Sequence, residues 1–506
     1  PGNVVILAPG PLSGTPAPSS GRFTLGGRSP LTGVLGDANS GGFFGAILKR
    51  AGYDLILFHG QSPQPVYLWI WNDGVELRDA RPLWGKDTHE TARLIKEEVG
   101  RAISTAIIGQ AGENLVHFAG LIVDGEHAAA RTGLGAVLGS KKLKGIAVRG
   151  THDVPICDPN AFEALSQELY EILKEDSRSG EELPRYGTTA LLDHHTHIGG
   201  VNTRNYQTGL FEGKEKIDGD YLNEHYLVKA TACYRCPCNC DRYSRVGEGE
   251  FAGTEVGGPE YSTLVAFGSG CGNDNLASIL KANELCNRYG LDTIDTGNII
   301  AWTMELYQRG LLTKEETGGL DLTWGNYHAI LEMVERIAFR KGTFADLLAE
   351  GISGAAQEIG RGAERYAVHV KGMTPPPLDA RAVKVYNFRY AVSSRGADHL
   401  RISAPGAYGL DFCPLSEAAA KLKHWEEIVT IPDLKFPYSY YAESVERTLH
   451  KMLEVVPGLY SAATGLKVTG DDLLLAAERV NNVERAHNCR LGLTAAHDTM
   501  PPRFTE

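Results

Sequence analysis

The sequence predicts an α+β protein, with a β-rich N-terminal domain followed by two mainly α-helical domains. Three observations carry that expectation. The first 150 residues are punctuated by short apolar or alternating runs bounded by Gly, Pro and Asp, the pattern of strands. From residue 161 onward apolar residues recur at helical spacing instead. Between the two regimes, residues 153–160 form a break rich in Asp and Pro. Domains are expected at 1–155, 156–370 and 371–506, the first boundary being set by this break.

In chain order, strands are expected at 4–8, 55–59, 66–71, 106–109 and 145–149. Two Gly/Ser-rich stretches, 10–45 and 127–144, read as loops between them. A helix at 161–175 opens the second domain, and helical signals run to about residue 372 with a polar connection over 194–207. Residues 275–311 read as two helices broken at Tyr289-Gly290, where Gly290 suits the left-handed residue that ends a helix. More helices follow Pro375. In the last long one Leu473, Ala476, Ala477, Val480 and Val483 repeat at helical spacing behind a Thr469/Asp472 capping signal.

With 506 residues and 42% hydrophobic content, the chain can bury a large core. A net charge of -12 argues against a nucleic-acid partner. No apolar run approaches the ~18 residues of a membrane span and no secretory pattern opens the chain, so a cytoplasmic protein with no membrane partner is expected. Because it begins at Pro1 and enters a strand pattern at Val4, the sequence is also expected to be a fragment without its natural start. Its 59 glycines are well above average usage, and glycine goes where backbone must turn tightly or approach a ligand closely. The chain is therefore expected to wrap something large.

Four of nine cysteines fall between Cys233 and Cys240, which favours metal or redox chemistry over a disulfide scaffold. Cys233, Cys236 and Cys240 read as C-x2-C-x3-C, a spacing that lets three thiolates converge on an iron–sulfur cube. Zinc is the competing reading, weakened because no second C-x2-C half-site follows. Structural thiols are the third. Glu260, after Gly257-Gly258-Pro259, is either presented to a pocket or a solvated turn residue. Arg395 and Arg401 flank Asp398-His399, which suits phosphate contact and proton transfer but equally a surface salt-bridge loop. Asn287, Leu291 and Asp292 bracket the interhelix break, where polar groups could bind a heterocycle or simply cap helices. The group His194, His195, His197 reads as a polar loop rather than a metal site.

Taken in order, these segments resemble the tungsten-containing aldehyde:ferredoxin oxidoreductase family. The resemblance starts at Gly10-Pro11-Leu12-Ser13-Gly14-Thr15 and Asn39-Ser40-Gly41-Gly42-Phe43 and continues through Ala129-Ala130-Arg131-Thr132-Gly133-Leu134-Gly135. It then takes in the cysteine motif, Gly258-Pro259-Glu260-Tyr261, Gly290-Leu291-Asp292 and Arg395-Gly396-Ala397-Asp398-His399-Leu400-Arg401, and ends at Asp498-Thr499-Met500-Pro501-Pro502-Arg503. It implies a β base domain holding a tungsten bis-pterin (tungstopterin), covered by two helical domains, with one [4Fe-4S] cluster. Arg22 would lie between pterin and cluster. The backbones of Asn39 and Ala130 would help hold a magnesium ion bridging the pterin phosphates, with Gly41 and Gly133 allowing close phosphate approach. Asn287, Leu291 and Asp292 match a D-x-x-G-L-D pterin motif whose first Asp is Asn here, and Arg395 and Arg401 would be further contacts. The cluster's fourth ligand falls on His450, where the family carries cysteine, with Cys413 and Cys489 as alternatives.

The implied reaction is oxidation of a small aldehyde with water to a carboxylic acid, with electrons leaving through the cluster to ferredoxin or an iron–sulfur partner subunit. Glu260 would be the base, and His399 would polarise the aldehyde oxygen or shuttle a proton. Two alternatives stand beside it: a reductase of aromatic thioesters in the same family, for which Cys271 could supply a thiol, and a non-catalytic iron–sulfur electron-transfer subunit. Tungsten against molybdenum, the aldehyde, the acceptor and homodimer formation stay open.

Overall fold

The computed structural model describes residues 2–400, 414–431 and 442–506, without the side chains of 415, 418, 429 and 442–452. The N-terminal domain holds two sheets. Strands β1 (Val5–Pro9), β2 (Phe23–Arg28), β3 (Leu35–Ser40) and β4 (Ile56–Phe58) form an antiparallel sheet in the order β3-β2-β1-β4. Strands β5 (Val66–Trp71), β6 (Gly74–Asp79), β7 (Ser104–Ile107), β8 (Leu121–Val123), β9 (His127–Ala129) and β10 (Leu143–Arg149) form a second, in the order β6-β5-β10-β7-β8-β9.

One apolar core joins the two sheets. Val5 and Leu7 of β1 and Phe23 and Leu25 of β2 meet Ile146 and Val148 of β10, with Leu48 and Leu138 from the short helices Phe44–Arg50 and Leu134–Ser140. The alternation along β1, buried Val5 and Leu7 against exposed Ile6, is that of a strand covered on one face. The second sheet is covered on both faces. Tyr67, Trp69, Ile107 and Ala147 pack on the helix Thr88–Val99 on the side away from the shared core. That explains why 145–149 reads as a continuous apolar run.

The largest core is helical and centres on the helix Thr293–Gln308, buried at every position from Ile294 to Leu306. A helix buried all round must satisfy its polar residues internally. Here Glu305 accepts from Arg503 at 2.7 Å and from Asn205 at 2.6 Å. The preceding helix, Leu276–Tyr289, ends at Gly290 in the left-handed conformation, as its sequence position suggests.

That break is stitched to the N-terminal domain by main-chain bonds as well as side chains. Gly120 N–H donates to Gly290 O at 2.8 Å and Asp292 N–H to Phe118 O at 3.1 Å. The approach is so close that a Cβ on Gly109 would fall 2.2 Å from the Tyr289 carbonyl. A comparable seam lies within the base, where a Cβ on Gly139 would fall 1.9 Å from Gly112 O. Much of the glycine excess therefore serves backbone-to-backbone contact as well as ligand approach.

Several local expectations are corrected. The stretch 10–45 contains β2 and β3, and 127–144 contains β9 and a helix, because ladder pairing and burial override their weak propensities. The connection over 194–207 begins inside a helix, Leu191–His197. The cysteine region carries a small sheet of β11 (Leu227–Thr231), β12 (Asp241–Arg245) and β13 (Glu255–Gly257) where helical signals were expected. The late helix Gly470–Arg490 has its Thr469/Asp472 capping box, yet Val480 and Val483 on it are exposed while Ala477 is buried. Among the described residues no helix is long and apolar enough to cross a membrane.

Candidate active site

The cysteine loop is the tip of the β11–β12 hairpin, closed by the pairing of Thr231 with Asp241. Its backbone turns through left-handed residues at Arg235 and Asn239. The tip is fastened to the first domain: Tyr234 N–H donates to Gly42 O at 3.1 Å, and Arg235 O accepts from Ser19 N–H at 3.0 Å. Cys233, Cys236 and Cys240 line a cavity of about 400 Å³, whereas Cys238 is buried and does not line it.

The spread of these thiols bears on what they hold. Tetrahedral zinc would draw its sulfurs to about 3.8 Å from one another. Among the described residues the one trio of metal-ligating groups with all atoms within 4.8 Å is Glu126, His127 and Asp241, and the cysteines do not meet that limit. Three thiols open into one cavity, a donor set suited to a metal–sulfur centre.

Arg22 and Asn39 come from β2's entry and from β3, and the Arg22 Nε–H donates to Asn39 Oδ1. Asn39 is held in turn by its Nδ2 donating to Thr24 at 3.0 Å, its partner across the ladder. Gly41 leaves room for both charge and thiol, since a Cβ there would fall 2.7 Å from Cys233 Sγ and 3.3 Å from Arg22 Nη1. Ala130 lines the cavity beside them. Gly133 does not. Its left-handed φ and the 1.8 Å that would separate its Cβ from His117 O show a glycine required by the chain's own backbone, a correction to the expected phosphate approach.

Asn287, Leu291 and Asp292 reach the cavity at the interhelix break. Asp292 both caps the helix Thr293–Gln308, accepting from Ile294 N–H at 3.1 Å, and faces Arg131 Nη1 at 3.3 Å. Asp295 Oδ2 lies 3.7 Å from the same nitrogen. Burial pushes the Asp292 carboxyl up, opposed by Arg131 and reinforced by Asp295. Arg131 Nη1 and the Oδ2 atoms of both aspartates have no hydrogen-bond partner among the described residues, although all are buried. Of these, Arg131 and Asp292 line the cavity, where a donor beside an acceptor suits a heterocycle carrying both, as a pterin does.

Glu260 starts the helix Tyr261–Phe267 and points into the cavity rather than the bulk solvent. Its side chain is accessible to solvent through the cavity, while desolvation by the surrounding protein raises its carboxyl to about 7 against the Thr188 hydroxyl that donates to it. His399 lines the same cavity, with Nδ1 3.9 Å from the buried Asp398 carboxylate. Arg395 donates to Asp398 and to Asp37 O, so it anchors the His399 loop onto β3 while still lining the cavity.

Arg401 and Cys413 lie outside the described residues, as does the side chain of His450. Cys489 is exposed on the helix Gly470–Arg490 and does not line the cavity. Cys271 is buried, its Sγ donating to Ala266 O at 3.3 Å, and does not line the cavity. Of the histidine group, His195 reaches the cavity, its Nδ1 2.6 Å from the Tyr261 hydroxyl. Sequence reading missed Arg131, Thr188 and the Glu126, His127, Asp241 trio, whose members are brought together only by the meeting of β9 with β12.

Comparison with known proteins bears on the chain's family and fold. A family model described as aldehyde ferredoxin oxidoreductase, N-terminal domain, matches residues 1–150, and one described as domains 2 and 3 of the same protein matches 164–506. The chain is 39% identical to the tungsten-containing aldehyde ferredoxin oxidoreductases of Thermococcus kodakarensis and Pyrococcus furiosus, over all of this chain and 83% of each relative. It is 33% identical to the WOR-like subunit of an aliphatic sulfonate oxidoreductase from Pyrococcus furiosus, over 80% of this chain and 67% of that one. The active-site complex BamBC of benzoyl coenzyme A reductase superposes with a TM-score of 0.83 at 26% identity, covering 99% of this chain and 83% of that one. The chain belongs to the aldehyde ferredoxin oxidoreductase family, a family of enzymes.

Proposed function

We propose that this chain oxidises an aldehyde with water to a carboxylic acid, releasing two electrons and two protons, and passes the electrons to ferredoxin or an iron–sulfur partner subunit in the cytoplasm. The observation that supports it most is that Glu260 and His399 open into the same cavity as Cys233, Cys236 and Cys240. The three cysteines would hold a [4Fe-4S] cluster. Asn287, Leu291, Asp292 and Arg395 would hold the pterins, and the Asn39 and Ala130 backbones the magnesium ion, with Arg22 between pterin and cluster. A bound tungsten bis-pterin would supply a Lewis acid and two-electron acceptor, and the cluster a one-electron outlet.

The chain's own groups handle protons and orientation. Glu260 takes a proton from water as its oxygen adds to the aldehyde carbon, with Thr188 fixing the carboxylate's direction. His399 donates a hydrogen bond to the aldehyde oxygen, and its imidazole stands beside the Asp398 carboxylate. Asp398 is itself held well below the usual carboxylate range, against its burial, by Arg395.

A base must be ionised to act. With Glu260 raised to about 7, kcat/KM is expected to rise with pH and level off above that value. A steady-state profile that is flat from about pH 5.5 to 8.5 would remove Glu260 from the base role. The direct test of the whole reading is elemental analysis of anaerobically purified protein together with aldehyde-dependent reduction of a viologen dye. About one tungsten and about four irons per chain, with dye reduction, are expected. Iron alone without turnover would favour an electron-transfer subunit, and zinc alone would overturn the cysteine assignment.

A further inference from the structure

The cavity has two unlike halves. One is polar, faced by Arg22, Asn39, Glu126, His127, Asp241 and Asn287. The other begins at Glu260 and turns apolar. Thr188, which bonds Glu260, also accepts from Tyr261 N–H at 2.8 Å. The Tyr261 hydroxyl donates to Pro377 O at 3.1 Å, and its ring stands edge-on to His195 with centroids 4.8 Å apart. Leu183 and Leu191 line this wall, and Leu378 continues it. Tyr386 and Tyr390, one turn apart on the helix Lys384–Val392, close it with rings at 65° and centroids 5.7 Å apart.

The charge on this wall is already compensated. Arg178 lines it and is buried, but its Nη1 donates to Glu182, which His194 Nε2 also meets at 2.6 Å. A tail carrying phosphate or carboxylate would have to leave water for a wall whose guanidinium has an internal partner. A short alkyl tail would leave the wall unfilled and forfeit its dispersion contacts. A planar ring meets the tyrosine rings and leucines on both sides.

We infer that this half is a pocket for uncharged aldehydes bearing an aryl group, with Leu183, Leu191, Tyr386 and Tyr390 setting the preference and the Arg178–Glu182 pair excluding anions. This rests on the aldehyde-oxidising reading above. In the anaerobic holoenzyme, kcat/KM for benzaldehyde is expected to exceed that for acetaldehyde by about tenfold and that for succinic semialdehyde by about a hundredfold. Leu191→Ala should shrink the benzaldehyde-to-acetaldehyde ratio by about fivefold, and Tyr390→Ala likewise, while Tyr390→Phe keeps it. Glu182→Gln should remove one anionic partner of Arg178 and raise kcat/KM for succinic semialdehyde by about tenfold.

Tungsten and iron contents are measured in each variant, and Leu183→Ala replaces any variant that fails to fold. Calorimetric binding of benzamide, which cannot be oxidised, separates the two claims. If benzamide binds and Leu191→Ala weakens it while no aldehyde turns over, the pocket stands and the aldehyde reading falls. If aldehydes turn over with no aryl preference, or the semialdehyde is used as well as benzaldehyde, the pocket assignment is wrong and the reaction stands. Failure of benzamide to bind overturns the pocket in either case.

Discussion

Glu260→Gln is expected to lower aldehyde-dependent dye reduction by about 10²–10⁴-fold while tungsten and iron stay at their wild-type contents. Glutamine fills the same volume and can still accept from Thr188, so the helix start at Tyr261 and the cavity wall are retained. What is lost is the ability to take a proton near neutrality, which the enclosed position of the carboxyl confers by holding it at about 7. A variant with near-normal turnover would show that Glu260 is not the base. A variant that loses its metals would show that it supports the cofactors instead.

The second large effect is one of stability. Arg131→Met is expected to destabilise the fold by about 3–5 kcal/mol, because one guanidinium stands before two buried carboxylates. It also donates to Thr374 O at 2.6 Å and Ala397 O at 3.2 Å, so the same side chain ties the β base to two later segments. The loss should depend on pH in a defined direction. Burial holds the Asp292 carboxyl above its unfolded value, so its ionised form opposes folding, and removing Arg131 enlarges that penalty. The variant should therefore regain stability relative to wild type as the pH is lowered through that raised pKa. Denaturant midpoints at several pH values would show it. Arg131→Lys should recover part of the loss, and a deficit independent of pH would mean that the missing hydrogen bonds, not the charge, dominate.

Much of the site could be read from the chain because its residues sit on local signals. The cysteine spacing, the Gly-Pro-Glu turn and the glycine-ended helix each mark a place where backbone geometry presents a side chain, and the structure brings all of them to one cavity. What stayed hidden depends on contacts distant in sequence. Thr188 meets Glu260 across 72 positions, and Arg131 meets Asp292 through the seam between base and helices. Neither has a spacing rule. In the fold, β5 and β10 were legible as apolar runs. By contrast β2 and β3, interrupted by Gly26, Gly27, Gly36 and Asn39, become strands only because they pair with one another and with β1. The histidine-rich helix Leu191–His197 was obscured by its polar composition, although Leu191, Leu192 and His195 turn inward.

The backbone-to-backbone seams alter how a deep mutational survey of this enzyme should be interpreted. At Gly109 and Gly139 a single added carbon would overlap main-chain atoms that no rotamer change can move aside. Both positions should reject every other amino acid as firmly as Glu260 does, though neither lines the cavity. Intolerance by itself would then draw false active sites along the junction of base and helices and along the seam inside the base. Scoring survival together with soluble protein level would tell the two apart, since only a reactive residue can fail while the protein still accumulates.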